Sequence, residues 1–213
     1  PIHCLLCTDN QLVERGVSVE NQQLVWKTMP LSQSLERQIQ QQNLNALTTY
    51  PHYQTELSQL TIPWVQSLQD TLSEGVILLM DYGFDRQTFY HVDRHMGTLM
   101  CHYKHQSHTD PFFYPGLQDI TAHVDFTQVA EATLDTTIDV AGYTHLSQFL
   151  LNCDLASFIK DTGSHIQQTK LQQELYTLTS PSEMGELFKV IALSKNYEQE
   201  LSGFAHGDRR YQL

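Results

Sequence analysis

The sequence predicts an α/β fold, and three observations support this prediction. An apolar run without polar alternation, Val76 to Met80, follows a glycine, as in strands that are covered on both faces. Amphipathic helical patterns and short strand-like runs alternate from Thr61 onward. Residues 1–30 instead contain short β-rich runs separated by turn residues, which is typical of a small meander.

The length and composition favour one domain. The chain has 213 residues and 40% hydrophobic content, which suffices for a sizeable core. We predict that residues 1–213 form part of a single domain, with a β-meander at 1–30 and helices at 31–74. An α/β part follows at 75–213, and a long loop at 85–124 interrupts it.

The charge balance excludes some classes of partner. Lys and Arg total 12 against 24 for Asp and Glu, a formal net charge of -12, and the basic residues do not cluster. Such a surface repels nucleic acid and anionic membranes, so we expect neither as a partner. No apolar run reaches the roughly 18 residues of a membrane span, so we expect no membrane insertion.

The cysteine content indicates a reducing compartment. Four cysteines in a chain of this length do not make a disulfide framework, and a cytoplasmic location is expected. Cys4 and Cys7 form a lone Cys-x-x-Cys on a predicted strand. Alternation would point the two sulfurs to opposite faces, which argues against a metal or redox role.

The first half of the chain divides at its turn residues and at its prolines. Helix is predicted from Pro30 to Leu47, with a serine cap, and again from Thr61, with Pro63 in the first turn. The predicted strands of the meander are Ile2 to Cys7, Val13 to Val19 and Leu24 to Lys27.

The second half continues the alternation of strands and helices. Gly97 to Tyr103 is the clearest strand-like run of the long loop, and Asp125 or Thr127 caps a helix. The elements predicted after that are a strand at Ile138 to Ala141, helices at Leu146 to Leu151 and Gln167 to Leu178, and a strand at Leu187 to Leu193.

The carboxyl end of the apolar strand is the first candidate site. The stretch Gly75 to Gly83 reads GVILLMDYG, so Asp81 and Tyr82 lie where ligands bind in open α/β sheets. The alternative is that Asp81 only caps a following turn, since position in a fold is not by itself evidence of function.

Histidines dominate the long loop, and they raise the possibility of a metal site. His102, His105 and His108 recur at every third residue, which could place them on one turn of a helix. No carboxylate or cysteine has a matching spacing, and no His-Glu-x-x-His is present. We favour a neutral hydrogen-bonding or acid–base role, above all for His105.

A polar row is the third candidate. Asp119, Thr121, His123 and Asp125 alternate along the chain, so an extended run would project all four from one face. They would then form either the wall of a site or an elaborate helix cap. The sequence contains no Gly-x-Ser-x-Gly, phosphate loop or Gly-x-Gly-x-x-Gly, so a self-contained nucleotide site is not expected.

Five stretches together resemble one family along the whole length of the chain. GVILLMDYG, HMGTLMCHYKH, PGLQDITAHVDF, PSEMGELFKV and GFAHGDRR resemble, in this order, the MidA-like methyltransferases. These enzymes use S-adenosylmethionine, and their mitochondrial members are arginine methyltransferases in respiratory complex I assembly. The resemblance implies the C-terminal half of a Rossmann-like class I methyltransferase sheet, beginning at the end of the fourth strand.

The resemblance also implies roles for the candidate residues. Asp81, Asp119 and Asp125 would be catalytic, because carboxylates orient and deprotonate a guanidinium group. Tyr82, His105, Thr121 and His123 would contact the substrate. Arg94, Gly97 and Thr98 match the family's Arg-x-x-Gly-Thr run, for which a loop-shaping role and a substrate role are both open.

S-adenosylmethionine is the expected cofactor, but its residues are not assigned. In the family the main donor site lies upstream of the position that Pro1 matches, so we expect this chain alone to be inactive. The expected partners are a protein substrate, such as a respiratory complex subunit, and either a second copy or the missing N-terminal half. A eukaryotic protein of this kind would lie in the mitochondrial matrix.

Two other classes of function stay open at this point. One is a non-catalytic assembly or interaction module that has lost the donor-binding half. The other is a metal hydrolase that uses the histidines of the long loop. The sequence upstream of Pro1 and a metal analysis of the purified protein would distinguish them.

Overall fold

The computed structural model describes residues 2–104, 106–159 and 164–213. The chain divides into two compact units. Unit 1 comprises Pro1–Leu60 and Gln87–His123, and unit 2 comprises Thr61–Arg86 and Val124–Leu213. The long loop therefore belongs to the same unit as the N-terminal meander. None of the described helices is both long and apolar enough to cross a membrane.

The main sheet of unit 1 begins as an antiparallel meander. The turns after its first two strands place Asp9, Asn10, Asn21 and Gln22 at positive φ, which Asn and Asp tolerate better than other side chains. The fourth strand pairs with the first, so the order is β3-β2-β1-β4. The strands are β1 (His3–Thr8), β2 (Gln11–Glu20), β3 (Gln23–Met29) and β4 (Gln54–Leu57).

The single helix predicted from Pro30 to Leu47 is wrong in its extent. The structure has α1 at Gln33–Gln41, capped by Ser32, and a separate 3₁₀ helix at Leu44–Thr49. The break lies at Asn43, whose φ of 57° no continuous right-handed helix can contain. The core of unit 1 joins these helices to the sheet through buried Leu5, Leu35 and Tyr53.

The rest of unit 1 is a small antiparallel sheet with the order β7-β6-β8. Its strands are β6 (Met100–Tyr103), β7 (Gln106–His108) and β8 (Asp119–Thr121), and α3 (Arg86–Phe89) and a 3₁₀ turn at Val92–Arg94 precede them. His102 and His108 thus lie on two strands of a hairpin, not on one turn of a helix.

Unit 2 is built on a four-stranded sheet with the order β10-β11-β5-β9. The strands are β5 (Gly75–Phe84), β9 (Val124–Asp125), β10 (Asp139–His145) and β11 (Phe188–Lys195). β11 is antiparallel to both of its neighbours, and β9 pairs in parallel with β5 only at Gly83 and Phe84.

The expectation that Val76 to Met80 is covered on both faces is not met by the described residues. Gly75 to Tyr82 pairs with antiparallel β11 on one side, and no other strand in the described part of the chain pairs with this stretch. Leu78 and Met80 are 43% and 52% exposed. The fully buried strand is β11, whose Val190 to Leu193 are inaccessible to solvent.

Helices cover the sheet of unit 2 on both faces. On one face Val65 of α2 and Phe126 of α4 pack with Tyr143 and Ile191, and on the other Leu146 of α5 packs with Val190. The helices are α2 (Thr61–Leu68), α4 (Phe126–Glu131), α5 (Leu146–Asn152), α6 (His165–Thr179) and α7 (Met184–Leu187). Short 3₁₀ helices lie at Leu155–Phe158, Ser202–Phe204 and Arg210–Gln212.

Candidate functional site

A row of ionisable side chains crosses the sheet of unit 2 near the end of β5. The register places Asp81 opposite Lys189, and Lys189 opposite His145. Directly opposite residues of adjacent strands project from the same face. The three strands therefore present an acid, a cation and an imidazole side by side.

Lys189 is held in place by main-chain oxygens. Its Nζ donates to the carbonyl of Glu186 and, at 3.2 Å, to that of Leu187, both at the end of α7. The same Nζ lies 5.0 Å from the ring centre of Phe84. Carbonyl oxygens and an aromatic face both stabilise a cation, so Lys189 can stay charged although it is only 6% exposed.

His145 is uncharged at neutral pH. Burial, followed by the positive charges of Lys189 and Arg209, lowers the pKa of His145 from its ordinary 6.5 to about 4. A neutral imidazole has one nitrogen that can accept a proton or a hydrogen bond.

Asp81 keeps most of its hydrogen-bonding capacity. Its Oδ1 accepts one hydrogen bond from the backbone N–H of Tyr82 at 2.8 Å. Desolvation raises the pKa of Asp81, and this hydrogen bond opposes the rise. No cation in the described ranges forms an ion pair with it. Tyr82 is half-buried and meets the ring of Phe188 edge-on at 5.5 Å. β5 continues to Phe84, so Asp81 does not cap a turn at the end of the strand.

Asp125 is part of a structural ion-pair network. Its Oδ2 accepts from Arg86 Nε at 3.2 Å, and its Oδ1 caps α4 by accepting from Gln128 N at 3.2 Å, which confirms the predicted helix start. Arg86 also donates to both carboxylate oxygens of Glu131 at 2.5 Å. Burial raises the pKa of Asp125, and Arg86 opposes this rise. Asp125 is 7% exposed, so its carboxylate is committed to the protein.

The predicted polar row from Asp119 to Asp125 does not form one face. β8 ends at Thr121 and pairs with β6 in unit 1, whereas β9 starts at Val124 and pairs with β5 in unit 2. Alternation is kept only within one strand, so the chain between them breaks the pattern.

The members of that row in unit 1 differ in their contacts. Asp119 is exposed and lies opposite His102, and Thr121 donates its hydroxyl to the Met100 carbonyl at 3.2 Å. His105 lies outside the described residues. No group of three or more potential metal ligands occurs in the described part of the chain.

A buried carboxylate that the sequence analysis missed organises this part of unit 1. Glu56 of β4 is 5% exposed, and its Oε2 accepts from both the backbone N–H and the hydroxyl of Thr98 at 2.8 Å. Its Oε1 accepts from Leu99 N at 3.3 Å. The Thr98 hydroxyl in turn accepts from the backbone N–H of His123 at 3.0 Å.

This network explains the Gly-Thr run. Gly97 has a φ of +75°, and a Cβ there would lie 2.4 Å from Glu56 Oε1, so only glycine fits. The geometry gives Gly97 and Thr98 a loop-shaping role. Glu56 lies in a four-residue strand within a region that we predicted as helical, and nothing in its local sequence marks it.

Comparison with known proteins identifies the family. Residues 1–144 match a family described as "Putative S-adenosyl-L-methionine-dependent methyltransferase". No protein of curated function matches the chain. Two crystal structures of COG1565 superfamily proteins from Burkholderia thailandensis align with the whole chain at 36% identity, with TM-scores of 0.87 and 0.88.

The second of those Burkholderia structures has S-adenosyl-homocysteine bound. The present chain spans 57% and 55% of the length of the two Burkholderia chains. The family match covers well over half of these 213 residues. The chain therefore belongs to this family of S-adenosylmethionine-dependent methyltransferases.

Proposed function

We propose that this chain supplies the acceptor side of an S-adenosylmethionine-dependent methyltransferase, and that the acceptor is an arginine nitrogen of a protein. The observation that supports this most is Asp81 at the strand end. It is an accessible carboxylate with one backbone hydrogen bond and no ion pair to a described cation. A guanidinium group, planar and always charged, is the ligand that such a carboxylate favours.

We propose that this chain does not by itself supply the whole site for the methyl donor. In Rossmann-like folds a glycine-containing turn brings backbone amides close to the ligand. Here the positions next to Gly83, Gly142, Gly185 and Gly203 are filled by atoms of the protein itself, at 2.2 to 2.4 Å from an added Cβ. We therefore assign no donor-binding residue within this chain.

The longer neighbours suggest where the donor is held. The Burkholderia chains extend well beyond the part that this chain matches. We propose that the donor binds mainly to polypeptide equivalent to that additional part, in the manner of a Rossmann-like class I methyltransferase half. A role in respiratory complex assembly, as in the MidA-like enzymes, belongs to the same proposal.

Asp81, Lys189 and His145, which lie side by side near the end of β5, and the adjacent Tyr82 each have a proposed role. Asp81 orients the guanidinium by accepting its N–H groups, and Tyr82 limits how the acceptor enters. His145, neutral at pH 7, can accept a hydrogen bond from the guanidinium and help to orient it, and the proton that the nitrogen loses on methylation passes to solvent. Lys189 acts as a positioning residue, because it ties β11 to the end of α7.

The residues of unit 1 and Asp125 take different roles in the proposal. Asp119 is exposed and free to contact a cationic protein substrate, and Thr121 and His123 shape the surface around it. Asp125 acts through structure, by holding Arg86 and the start of α4, and not by touching the acceptor.

A transfer assay with the natural full-length protein tests the proposal. Labelled S-adenosylmethionine is supplied with arginine-containing candidate proteins, and methylarginine is identified after hydrolysis. Asp81→Asn should lower transfer more than about tenfold, because loss of a charged hydrogen bond costs ~1.5 to 3 kcal/mol. Asp119→Asn should weaken the binding of protein substrates more than the binding of short peptides.

Asp139→Asn is the matched control, since Asp139 is exposed at the opposite end of the same sheet. If Asp81→Asn transfers methyl groups as fast as Asp139→Asn, Asp81 does not bind the acceptor. If label appears in lysine or at a carboxylate instead of arginine, the acceptor class is wrong.

A further inference from the structure

Unit 1 contains a cavity that the residues proposed for methyl transfer do not line. Its volume is about 300 Å³, at the lower end of the range of roughly 300 to 1,000 Å³ found for small-molecule sites. The four strands of the main sheet of unit 1 supply most of its lining, and Met96, Leu99 and Thr109 from the long loop supply the rest. It is large enough for a ligand of the size of a single aromatic ring with a short polar group.

The floor of the cavity is a row of three polar side chains. Cys4 of β1 lies opposite Arg15 of β2 on one side and opposite Glu56 of β4 on the other. All three therefore project from the same face of the sheet. The row places a cation, a thiol and a carboxylate on three adjacent strands.

The cation of this row is hydrogen-bonded to a neutral group. Arg15 Nη1 donates to the neutral amide oxygen of Gln54, and no carboxylate in the described ranges forms an ion pair with the guanidinium. The guanidinium carbon lies 4.1 Å from the ring centre of Trp26, which is itself braced by Phe112 at 5.1 Å. Burial lowers the pKa of Arg15, and the neighbouring Cys4 and Glu56 oppose this lowering without cancelling it.

The other groups of the row compensate the charge of Arg15 only in part. Both oxygens of Glu56 already accept hydrogen bonds from Thr98 and Leu99. Burial, and then the charge of Glu56, raises the pKa of Cys4 to about 11, so the thiol stays protonated and can donate.

We propose that this cavity binds a small carboxylic acid in its ionised form. The carboxylate accepts hydrogen bonds from the guanidinium of Arg15, whose planar fork matches a planar anion. The apolar body of the ligand lies against Leu99 and Met96. Binding would give Arg15 a direct ion pair, which it does not make with any carboxylate of the described residues. This inference does not depend on the methyltransferase proposal.

Benzoate and its neutral isostere benzamide are the probes. The chain has two tryptophans, so Trp64→Phe leaves Trp26, which contacts Arg15, as the fluorescent reporter. We expect saturable binding of benzoate with a dissociation constant near or below about 1 mM, and at least tenfold weaker binding of benzamide. Equal affinities for the two probes would overturn the proposal, as would no saturation by benzoate.

Substitution of the cation locates the site. Arg15→Gln should weaken benzoate binding by at least about tenfold, and Arg37→Gln, an exposed arginine of α1, should leave it unchanged. Unfolding of each variant by heat is recorded in parallel. If Arg15→Gln does not fold, Arg15→Lys, which keeps the charge but loses the fork, should still bind benzoate several-fold more weakly. Wild-type affinity in the folded variant would contradict the assignment.

The last experiment asks whether the carboxylate belongs to a small molecule or to a protein side chain. A short peptide with one internal glutamate presents the same group on a protein backbone. We expect the peptide to bind at least tenfold more weakly than benzoate, because the cavity has room only for a small ligand. Tighter binding of the peptide would mean that the cavity recognises a protein side chain, and the small-ligand proposal would be wrong.

Discussion

The structural roles of Gly97 and Thr98 depend on a side chain that is distant in the sequence. The hydroxyl of Thr98 donates a hydrogen bond to Glu56, which lies 42 positions earlier. The Gly-Thr run was visible in the sequence, but its partner was not, since a four-residue strand with one glutamate carries no distinctive pattern. Asp81, in contrast, is a candidate from the sequence alone, because it directly follows the apolar run Val76 to Met80.

Thr98→Val should destabilise the protein. The valine keeps the shape but removes a hydrogen bond to buried Glu56 and leaves the N–H of His123 without its acceptor. Such losses cost about 1 to 3 kcal/mol, so the unfolding temperature should fall by several degrees. Thr28→Val, at an exposed strand position, is the control. Equal melting temperatures for the two variants would show that the Glu56 network is dispensable.

His145 predicts a dependence of stability on pH. Its pKa in the folded protein is about 4 and its ordinary value is 6.5, so between these values the unfolded chain binds a proton that the folded protein does not. Stability from this group is therefore present above pH 6.5 and is lost as the pH falls towards 4.

The measurement is the unfolding temperature of wild type and His145→Gln across that interval. The difference between them should move in favour of the variant as the pH falls. His145 is partly exposed, so solvent screening limits the size of the effect. A difference that does not change with pH would show that the imidazole is not buried as described.

Secondary-structure elements were easier to predict than their pairing. Both apolar runs of unit 2 are strands, and the helices predicted near Thr61, Leu146 and Gln167 are present. The sequence could not show which edges of β5 are paired, because an apolar run reports burial but not the direction of its neighbours. The row from Asp119 to Asp125 failed for a related reason, since its alternation continues across a change of sheet.

A pair of substitutions tests which strand is the core of unit 2. Ile191→Asp should prevent folding, because Ile191 of β11 is inaccessible and an unpaired charge there has no compensation. Leu78→Asp should give soluble protein that unfolds cooperatively, because Leu78 of β5 is 43% exposed. Soluble expression and thermal unfolding distinguish them. Insoluble Leu78→Asp together with folded Ile191→Asp would reverse the assignment.

At the scale of the whole molecule, the open side of β5 predicts self-association. Gly75 to Tyr82 has strand partners on one side only within the described chain, and Leu78 and Met80 add exposed apolar surface. Such an edge is a template for pairing with another chain. When the 213-residue chain is studied alone, we expect a second copy to occupy this edge.

Light scattering measures this directly. The mass should exceed the 24.5 kDa of one chain, and Leu78→Glu combined with Met80→Lys should shift it towards the monomer. A monomeric wild type at micromolar concentration would contradict the prediction. So would a double variant that associates as strongly as wild type.

We propose that this chain supplies the acceptor side of the site, and that the donor binds mainly to polypeptide outside these residues. Calorimetric titration of the 213-residue chain with S-adenosyl-homocysteine tests this separation most directly. We predict no saturable heat at micromolar ligand, because a Cβ added at Gly83, Gly142, Gly185 or Gly203 would lie 2.2 to 2.4 Å from other atoms of the protein, which leaves no room for a ligand at these glycines. Micromolar binding with one site per chain would contradict this proposal and would place the donor site within these residues.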